Sequence, residues 1–318
     1  MSGLAGCPVL VTGGAGFIGS HLVDALLAGG ARVRVLDDLS SGLETNLAEV
    51  RADIELLVGD LCDAEACRRA CDRVRLVFHQ AALGSVPRSI AHPARSIEVN
   101  VGGNARLFEA ARDAGVARVV YASSSSVYGD SPTLPKREGE EGQPLSPYAW
   151  SKAAGEQLAR VFARSLALPS IGLRYFNVYG PRQRPDGPYA AVVPRFFAAW
   201  REGRAPVIYG DGEQSRDFTF VADAVAANLA AATASVEALG QAYNVGAGGG
   251  VTVRELAERI RELAGGGPEP EHAPARSGDV RHSLADVEKA RRELGWAPAW
   301  SLEAGLAATA PWFLGRRS

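Results

Sequence analysis

The stretch Thr12-Gly13-Gly14-Ala15-Gly16-Phe17-Ile18-Gly19 decides how the rest of the chain is read. It follows a short apolar run, Pro8–Thr12, and opens a helical pattern, Phe17–Ala28. Glycine lets such a turn close tightly, lets backbone approach a pyrophosphate, and lets a helix start directly against a sheet. The helix N-terminus then faces the anion. Two frames fit: Gly14, Gly16 and Gly19 as G-x-G-x-x-G, or Gly13, Gly16 and Gly19 as G-x-x-G-x-x-G. An ordinary glycine-rich turn would carry the same letters, so the context decides. Asp37 ends the next apolar run, at the roughly 20-residue spacing where a carboxylate accepts ribose hydroxyls. The residues after it, Asp38-Leu39-Ser40, offer no arginine to a 2′-phosphate, which favours NAD over NADP. Asp60-Leu61 ends a third run, where an adenine edge would lie. Gly13, Gly16, Phe17, Ile18, Gly19, Asp37, Asp60 and Leu61 are therefore the expected cofactor residues.

Outward from this loop, Val- and Ile-rich runs alternate with alanine-rich amphipathic stretches. Strands are expected at Pro8–Thr12, Arg32–Leu36, Ile54–Val58, Arg75–His79, Val116–Ala122 and Ser170–Arg174, with helices such as Phe17–Ala28 and Ala94–Ala114 between them. Unpatterned apolar strands separated by helices specify a parallel sheet covered on both faces. The expected class is α/β, a Rossmann-type doubly wound sheet over 1–175. Beyond about Gly180, Pro and Gly become frequent and the alternation loosens. A smaller mixed α/β lobe is expected over 176–318, with some segments returning to the first unit.

The chain has 318 residues, 47% of them hydrophobic, and a net charge of −2 from 34 basic and 36 acidic side chains. That balance gives no ground for a nucleic-acid or anionic-membrane partner. No signal peptide and no membrane span are expected. Of Cys7, Cys62, Cys67 and Cys71, the last three sit in a charged stretch without nearby histidines; all four read as reduced thiols rather than a zinc site, so no metal site and a cytoplasmic setting are expected.

A second constellation carries chemistry. Ser146-Pro147-Tyr148-Ala149-Trp150-Ser151-Lys152 opens a helix, with Ser146 as N-cap and Pro147 in the first turn. Tyr148 and Lys152, four apart, share a helical face. A phenol titrates near pH 10, so it needs neighbouring cations to act as a base at neutral pH. Lys152 and the ring of NAD⁺ are the expected cations. Ser124 lies past the fifth run, at the carboxyl end where open sheets bind ligands.

Thr12–Gly19, Asp37, Ser124, Tyr148–Lys152 and Arg174-Tyr175-Phe176-Asn177-Val178-Tyr179-Gly180 together resemble the extended short-chain dehydrogenase/reductases, and within them the UDP-sugar 4-epimerases. The resemblance spans nearly the whole chain. It implies C4 epimerisation of a UDP-hexose through a 4-keto sugar, with tightly bound NAD as cofactor and Ser124, Tyr148 and Lys152 as catalytic residues. It places Asn177, Arg216 and Arg276 at the phosphates and Asp279 at the uridine ribose. Relatives that remove water across C5 and C6 show Thr-Asp-Glu where this chain has Ser124-Ser125-Ser126, and decarboxylating relatives also carry a Glu there, which argues for epimerisation.

The loop Ala82–Ser89 and the segment Gly278–Asp286 resemble those of bacterial epimerases acting on UDP-N-acetylhexosamines. Gly84, Ser85, Ser125 and Ser126 are thus expected near the sugar. Ser283 stands where strict UDP-galactose epimerases carry a bulky Tyr, leaving room for an N-acetyl group. A UDP-glucose or UDP-glucuronate epimerase stays open, the latter with Arg182 or Arg184 near C6. A non-catalytic NAD-binding regulator is a third reading, since fold alone does not fix activity. A homodimer is expected through Ala94–Ala114 and Tyr148–Leu166, with Leu107, Phe108 and Phe162 as apolar residues that the seam or the core would explain equally well.

Overall fold

The computed structural model describes residues 4–186, 190–275 and 280–315. Its strands are β1 (Pro8–Thr12), β2 (Arg32–Asp37), β3 (Ile54–Val58), β4 (Leu76–His79), β5 (Arg118–Ser124), β6 (Ser170–Tyr175), β7 (Val207–Tyr209), β8 (Ser215–Asp217), β9 (Gln241–Val245), β10 (Gly250–Thr252), β11 (Glu271–Ala273) and β12 (His282–Ser283). Its helices are α1 (Phe17–Ala28), α2 (Ala64–Cys71), α3 (Val86–Ala91), α4 (Pro93–Ile97), α5 (Asn104–Asp113), α6 (Pro147–Ser165), α7 (Val192–Arg201), α8 (Val221–Thr233), α9 (Val253–Ala264), α10 (Glu288–Leu294) and α11 (Leu302–Leu314).

Seven parallel strands form the main sheet in the order β3-β2-β1-β4-β5-β6-β9. Continuous apolar runs are what such strands need, since helices cover both faces. Val9 and Val11 face one layer, with α1 and α8, while Leu10 joins the layer of α2, α5 and α6. The order reverses between β1 and β4, so the crevice at their carboxyl ends is where a ligand binds in this topology. The expected Rossmann-type sheet is thus present, and its seventh strand, β9, comes from the second half of the chain. Two small sheets, β10-β8-β12 and β11-β7, lie with α7, α9 and α11 around a separate core that includes Phe196, Phe197, Trp200 and Phe313.

Three local expectations are corrected. The helix expected over 94–114 is broken: α4 runs into a π-helical turn, Glu98–Gly103, before α5. Gly103 packs there against Leu61, where a Cβ would meet the Leu61 Cβ at 3.0 Å. The fourth and fifth strands also begin later, at Leu76 and Arg118. Finally, Leu107, Phe108 and Phe162 are no seam. They are buried under the sheet, and Phe108 makes edge contacts with His79, Tyr121 and Phe162 at centroid distances of 6.4, 6.0 and 5.6 Å. Sequence periodicity marks an apolar face but not which neighbour covers it.

That packing has a measurable consequence. Phe108→Ala removes a fully buried ring and is expected to cost about 3–5 kcal/mol of protomer stability, read as a lower urea midpoint. An unchanged midpoint would contradict this assignment to the core.

Candidate active site

Glycine contacts settle the frame of the nucleotide loop. Gly13 has φ +68°, a left-handed conformation, and a Cβ there would meet the Ala81 backbone nitrogen at 2.7 Å. A Cβ on Gly19 would lie 2.1 Å from the Gly13 carbonyl oxygen. Gly13, Gly16 and Gly19 line the cleft, whereas Gly14 packs away from it on Val35. Helix α1 begins after Gly16 with no side-chain cap, so its first-turn N–H groups are left for an external acceptor.

The cleft, of about 420 Å³, runs from this loop to Tyr148 and Lys152. Phe17, Ile18, Asp37, Asp60, Leu61, Gly84 and Ala122 also line it. Asp37 Oδ2 accepts from the Ala15 N–H and Oδ1 from the Leu39 N–H, both at 2.9 Å. Each oxygen keeps a second lone pair for a ribose hydroxyl. Burial raises the Asp37 carboxyl above its usual range, with those two N–H groups opposing and Asp38 pushing it up further. For Asp60, burial acts upward, but the Cys62 N–H and the Arg95 guanidinium outweigh it and hold the carboxyl low. Uncapped helix donors, a glycine loop and a buried carboxylate along one cleft fit NAD.

At the far end of the cleft, α6 starts under several constraints. Ser146 caps it by accepting the Ala149 N–H at 3.1 Å, and Pro147 occupies the first turn. The Tyr148 N–H donates to the buried Ser89 hydroxyl at 3.0 Å. Ser124 is the last residue of β5. Its hydroxyl accepts from Ser126 Oγ at 2.9 Å. Lys152 is buried and donates from Nζ to the Ala122 carbonyl at 2.9 Å, with Nζ 5.9 Å from the Tyr148 ring centroid.

The electrostatics of the two side chains differ. Burial raises the Tyr148 phenol, and the Ser124 hydroxyl pulls it the other way. Burial lowers Lys152 to about 8, against the upward influence of Glu156. Lys152 therefore remains mostly charged at neutral pH, its ammonium held by the Ala122 carbonyl near the Tyr148 ring.

Asn177 and Arg216 line a second cavity of about 300 Å³, with Tyr209, Phe218 and Val253 among its walls. Ser85 caps α3 by accepting the Arg88 N–H. Ser125 and Ser126 form the helical turn after β5. Ser283 is half-buried in β12, and its backbone lies opposite Arg216; it is not among the residues lining either cavity. Arg276 and Asp279 lie outside the described residues. Arg182 and Arg184 border the nucleotide cleft and pair with Asp24 and Asp186 at 2.8 and 2.5 Å. Cys67 and Cys71 are free and buried, with thiols pushed up to about 11 and about 12.

Several residues that organise the site carried no motif. The Asn100 side chain accepts the Leu83 N–H at 2.8 Å and donates to the Leu83 carbonyl and to Ser151 Oγ at 3.2 and 3.1 Å, tying the cleft loop to α6. His79, lowered to about 4 chiefly by burial, bridges Thr12 and Asn104 at 2.6 and 2.7 Å. Gln80, Tyr175 and Asn228 close a ring of hydrogen bonds beside the cleft. Only the burial of these polar groups distinguishes them, and sequence does not display it.

Known proteins share this arrangement. The family model for the NAD dependent epimerase/dehydratase family matches residues 9–246. A UDP-glucose 4-epimerase of Mycolicibacterium smegmatis is 44% identical over 308 residues, covering 96% of this chain and 97% of its own length. A crystal structure of UDP-glucose 4-epimerase from Thermotoga maritima with UDP-glucose matches with a TM-score of 0.91 and 40% identity, over 96% of this chain and 98% of that one. A UDP-N-acetylglucosamine 4-epimerase from Methanobrevibacter ruminantium, in complex with UDP-N-acetylmuramic acid, matches with a TM-score of 0.93 and 39% identity, over 98% and 99%. The chain belongs to the NAD dependent epimerase/dehydratase family.

Proposed function

We propose that this protein interconverts the C4 epimers of a UDP-hexose, with UDP-N-acetylglucosamine and UDP-N-acetylgalactosamine as the preferred pair and UDP-glucose and UDP-galactose also accepted. One observation carries the reading. Tyr148 lines the cofactor cleft as its acid–base group, and Ser125 and Ser126, in the turn that follows Ser124, bring no carboxyl group. Dehydration needs such a second acid–base pair, whereas a C4 cycle needs only one. The nearby carboxylate of Glu156 is committed to Arg174 and Ser123. Arg182 and Arg184 border the nucleotide cleft and are paired, which disfavours a uronate at C6.

We assign Gly13, Gly16, Phe17, Ile18 and Gly19 to the cofactor diphosphate, Asp37 to the adenosine ribose, and Asp60 and Leu61 to the adenine end. Lys152 is assigned to the nicotinamide ribose. Asn177 and Arg216 would hold the UDP diphosphate, with Gly84, Ser85, Ser125, Ser126 and Ser283 around the sugar. Residues 1–175 then form the NAD-binding unit and 176–318 most of the sugar-nucleotide lobe. When bound, NAD⁺ supplies a reversible two-electron acceptor and a positive charge.

The chain's own residues handle the proton. Tyr148 Oη takes it from the sugar 4-hydroxyl and returns it to the same oxygen when the 4-keto sugar is reduced on its other face. Bringing a phenol from about 10 to neutral pH requires about 4 kcal/mol of preferential stabilisation of the phenolate. Ser124 contributes a hydrogen bond, and Lys152 contributes charge at the same helical face. A diphosphate anchored in the second cavity leaves the sugar free to turn between the two halves of the cycle.

A homodimer fits the exposed surface of the same helices. Ile97 on α4 and Trp150 and Val161 on α6 are 37%, 49% and 52% exposed, and α4 packs beside α6. We infer that two copies pair through this face. Val161→Glu would bury a charge in that seam and should yield a species near the 33.4 kDa protomer mass in sedimentation. A dimer mass for the variant would remove the seam.

Two substitutions test the chemistry and the sugar. Tyr148→Phe should retain NAD while losing roughly 10²–10⁴-fold in turnover; near-wild-type turnover would exclude Tyr148 as the base. Ser283→Tyr should lower kcat/KM for the N-acetylated pair relative to UDP-glucose and UDP-galactose by about 5–150-fold, the rate equivalent of roughly 1–3 kcal/mol of overpacking. An unchanged ratio would mean that Ser283 is not the gate.

A further inference from the structure

One buried carboxylate beside the site has no role in the proton transfer. Glu156 lies one helical turn beyond Lys152 on α6 and is 6% exposed. Its Oε1 accepts from Ser123 Oγ at 2.5 Å and from Arg174 Nε at 2.9 Å, and its Oε2 accepts from Arg174 Nη2 at 2.7 Å. Ser123 precedes Ser124 on β5, and Arg174 precedes the cleft residue Tyr175 on β6. One carboxylate thus joins the two strand ends flanking the cleft to the helix that carries Tyr148 and Lys152.

We propose that Glu156 is a positioning residue for the Tyr148–Lys152 pair, locking the carboxyl ends of β5 and β6, through Ser123 and Arg174, to the helix that carries both. This rests on the functional reading above. Tyr148, Lys152 and Glu156 occupy positions i, i+4 and i+8, so they share one face. The groups around Lys152 are few. From β5 comes the Ala122 carbonyl, and from its own helix the ring of Tyr148, 5.9 Å from Nζ. From β4 comes His79, which is neutral at pH 7 because burial lowers it to about 4. From β6, Arg174 reaches the neighbouring Glu156. Lys152 is lowered to about 8 by burial, and Glu156 is the charge that opposes this. Arg174 balances Glu156 from the side of β6. It also reaches the Tyr128 hydroxyl at 3.0 Å and Glu141, so it is held in place independently of Lys152.

Opposite charges on Lys152's two neighbours give opposite predictions. Removing the Glu156 charge lets burial act unopposed, so Lys152 loses its proton at lower pH. Removing the Arg174 charge leaves Glu156 unbalanced, so Lys152 keeps its proton to higher pH. A purely structural role predicts lower melting temperatures in both variants but no opposed titrations.

The chain contains only three lysines, Lys136, Lys152 and Lys289, so lysine Cε resonances can be followed by ¹³C NMR in the full-length protein saturated with NAD. Lys152→Met assigns the signal. In Glu156→Gln the Lys152 midpoint should fall below that of the wild type, and the alkaline limb of the kcat–pH profile should move down with it. In Arg174→Gln the midpoint should rise. Glutamine at 156 retains hydrogen-bonding groups for Ser123 and Arg174, and either variant that folds decides the matter. A wild-type midpoint in a folded variant, or shifts in the same direction in both, would overturn the proposal. Opposed shifts in a protein that turns over no UDP-hexose would sink the functional reading and leave the placement of Glu156 intact.

Discussion

The site depends on the burial of one polar face of α6 against the carboxyl ends of β5 and β6. A helix normally turns apolar residues to a sheet. Here Ser151, Lys152 and Glu156 are buried alongside Ala149, Ala159 and Phe162, with Tyr148 at the cleft. Burying an ammonium and a carboxylate costs several kcal/mol each unless they are paired and hydrogen-bonded. Arg174, Ser123 and the Ala122 carbonyl provide that satisfaction, and all three stand on adjacent parallel strands. The register Ser123↔Arg174 fixes their spacing. The sheet therefore does more than carry the cleft: it makes an otherwise unfavourable helix face tolerable.

From Arg174 the same network runs outward. Tyr128 donates to Asn244 Oδ1 at 2.7 Å, and Asn244 Nδ2 donates to the carbonyls of Lys136 and Asp286 at 2.8 and 2.9 Å. The Lys136 N–H donates to the Leu284 carbonyl at 2.7 Å. Ser283 is the neighbour of Leu284, so the segment proposed to border the sugar is tied by successive hydrogen bonds to the helix proposed to hold the base. Removing one member of the central Glu156–Arg174 pair would leave a buried charge uncompensated, typically a loss of about 3–5 kcal/mol. Such networks fix geometry more than they add stability.

Much of this was readable in the letters. The glycine loop, Asp37 and the Ser124, Tyr148, Lys152 set each obey a spacing with a physical cause, and α1 and β1 fall where that spacing puts them. The strands with continuous apolar runs were equally legible. Strand β9 was not, because it arrives after the regular alternation lapses and carries polar Gln241 and Asn244 within a short run. The π-helical turn at Glu98–Gly103 was hidden because no periodicity announces an extra residue in a helix. Glu156 and Asn100 were passed over, and Arg174 was read only as part of a motif, because charged and amide side chains are mostly exposed, and only the folded structure reveals which are not. The phenol of Tyr148 shows the same limit: spacing brings Lys152 near, but burial dominates its titration.

The central claim is that one acid–base group and a tightly held NAD suffice for a reversible redox cycle at C4 of the sugar. UDP-N-acetylglucosamine carrying deuterium at C4, incubated with the purified protein in ordinary water, tests it directly. The account predicts UDP-N-acetylgalactosamine among the products, with deuterium retained at C4 in both epimers. Loss of the label to solvent, or accumulation of a 4-keto-6-deoxy sugar in place of the epimer, would contradict it.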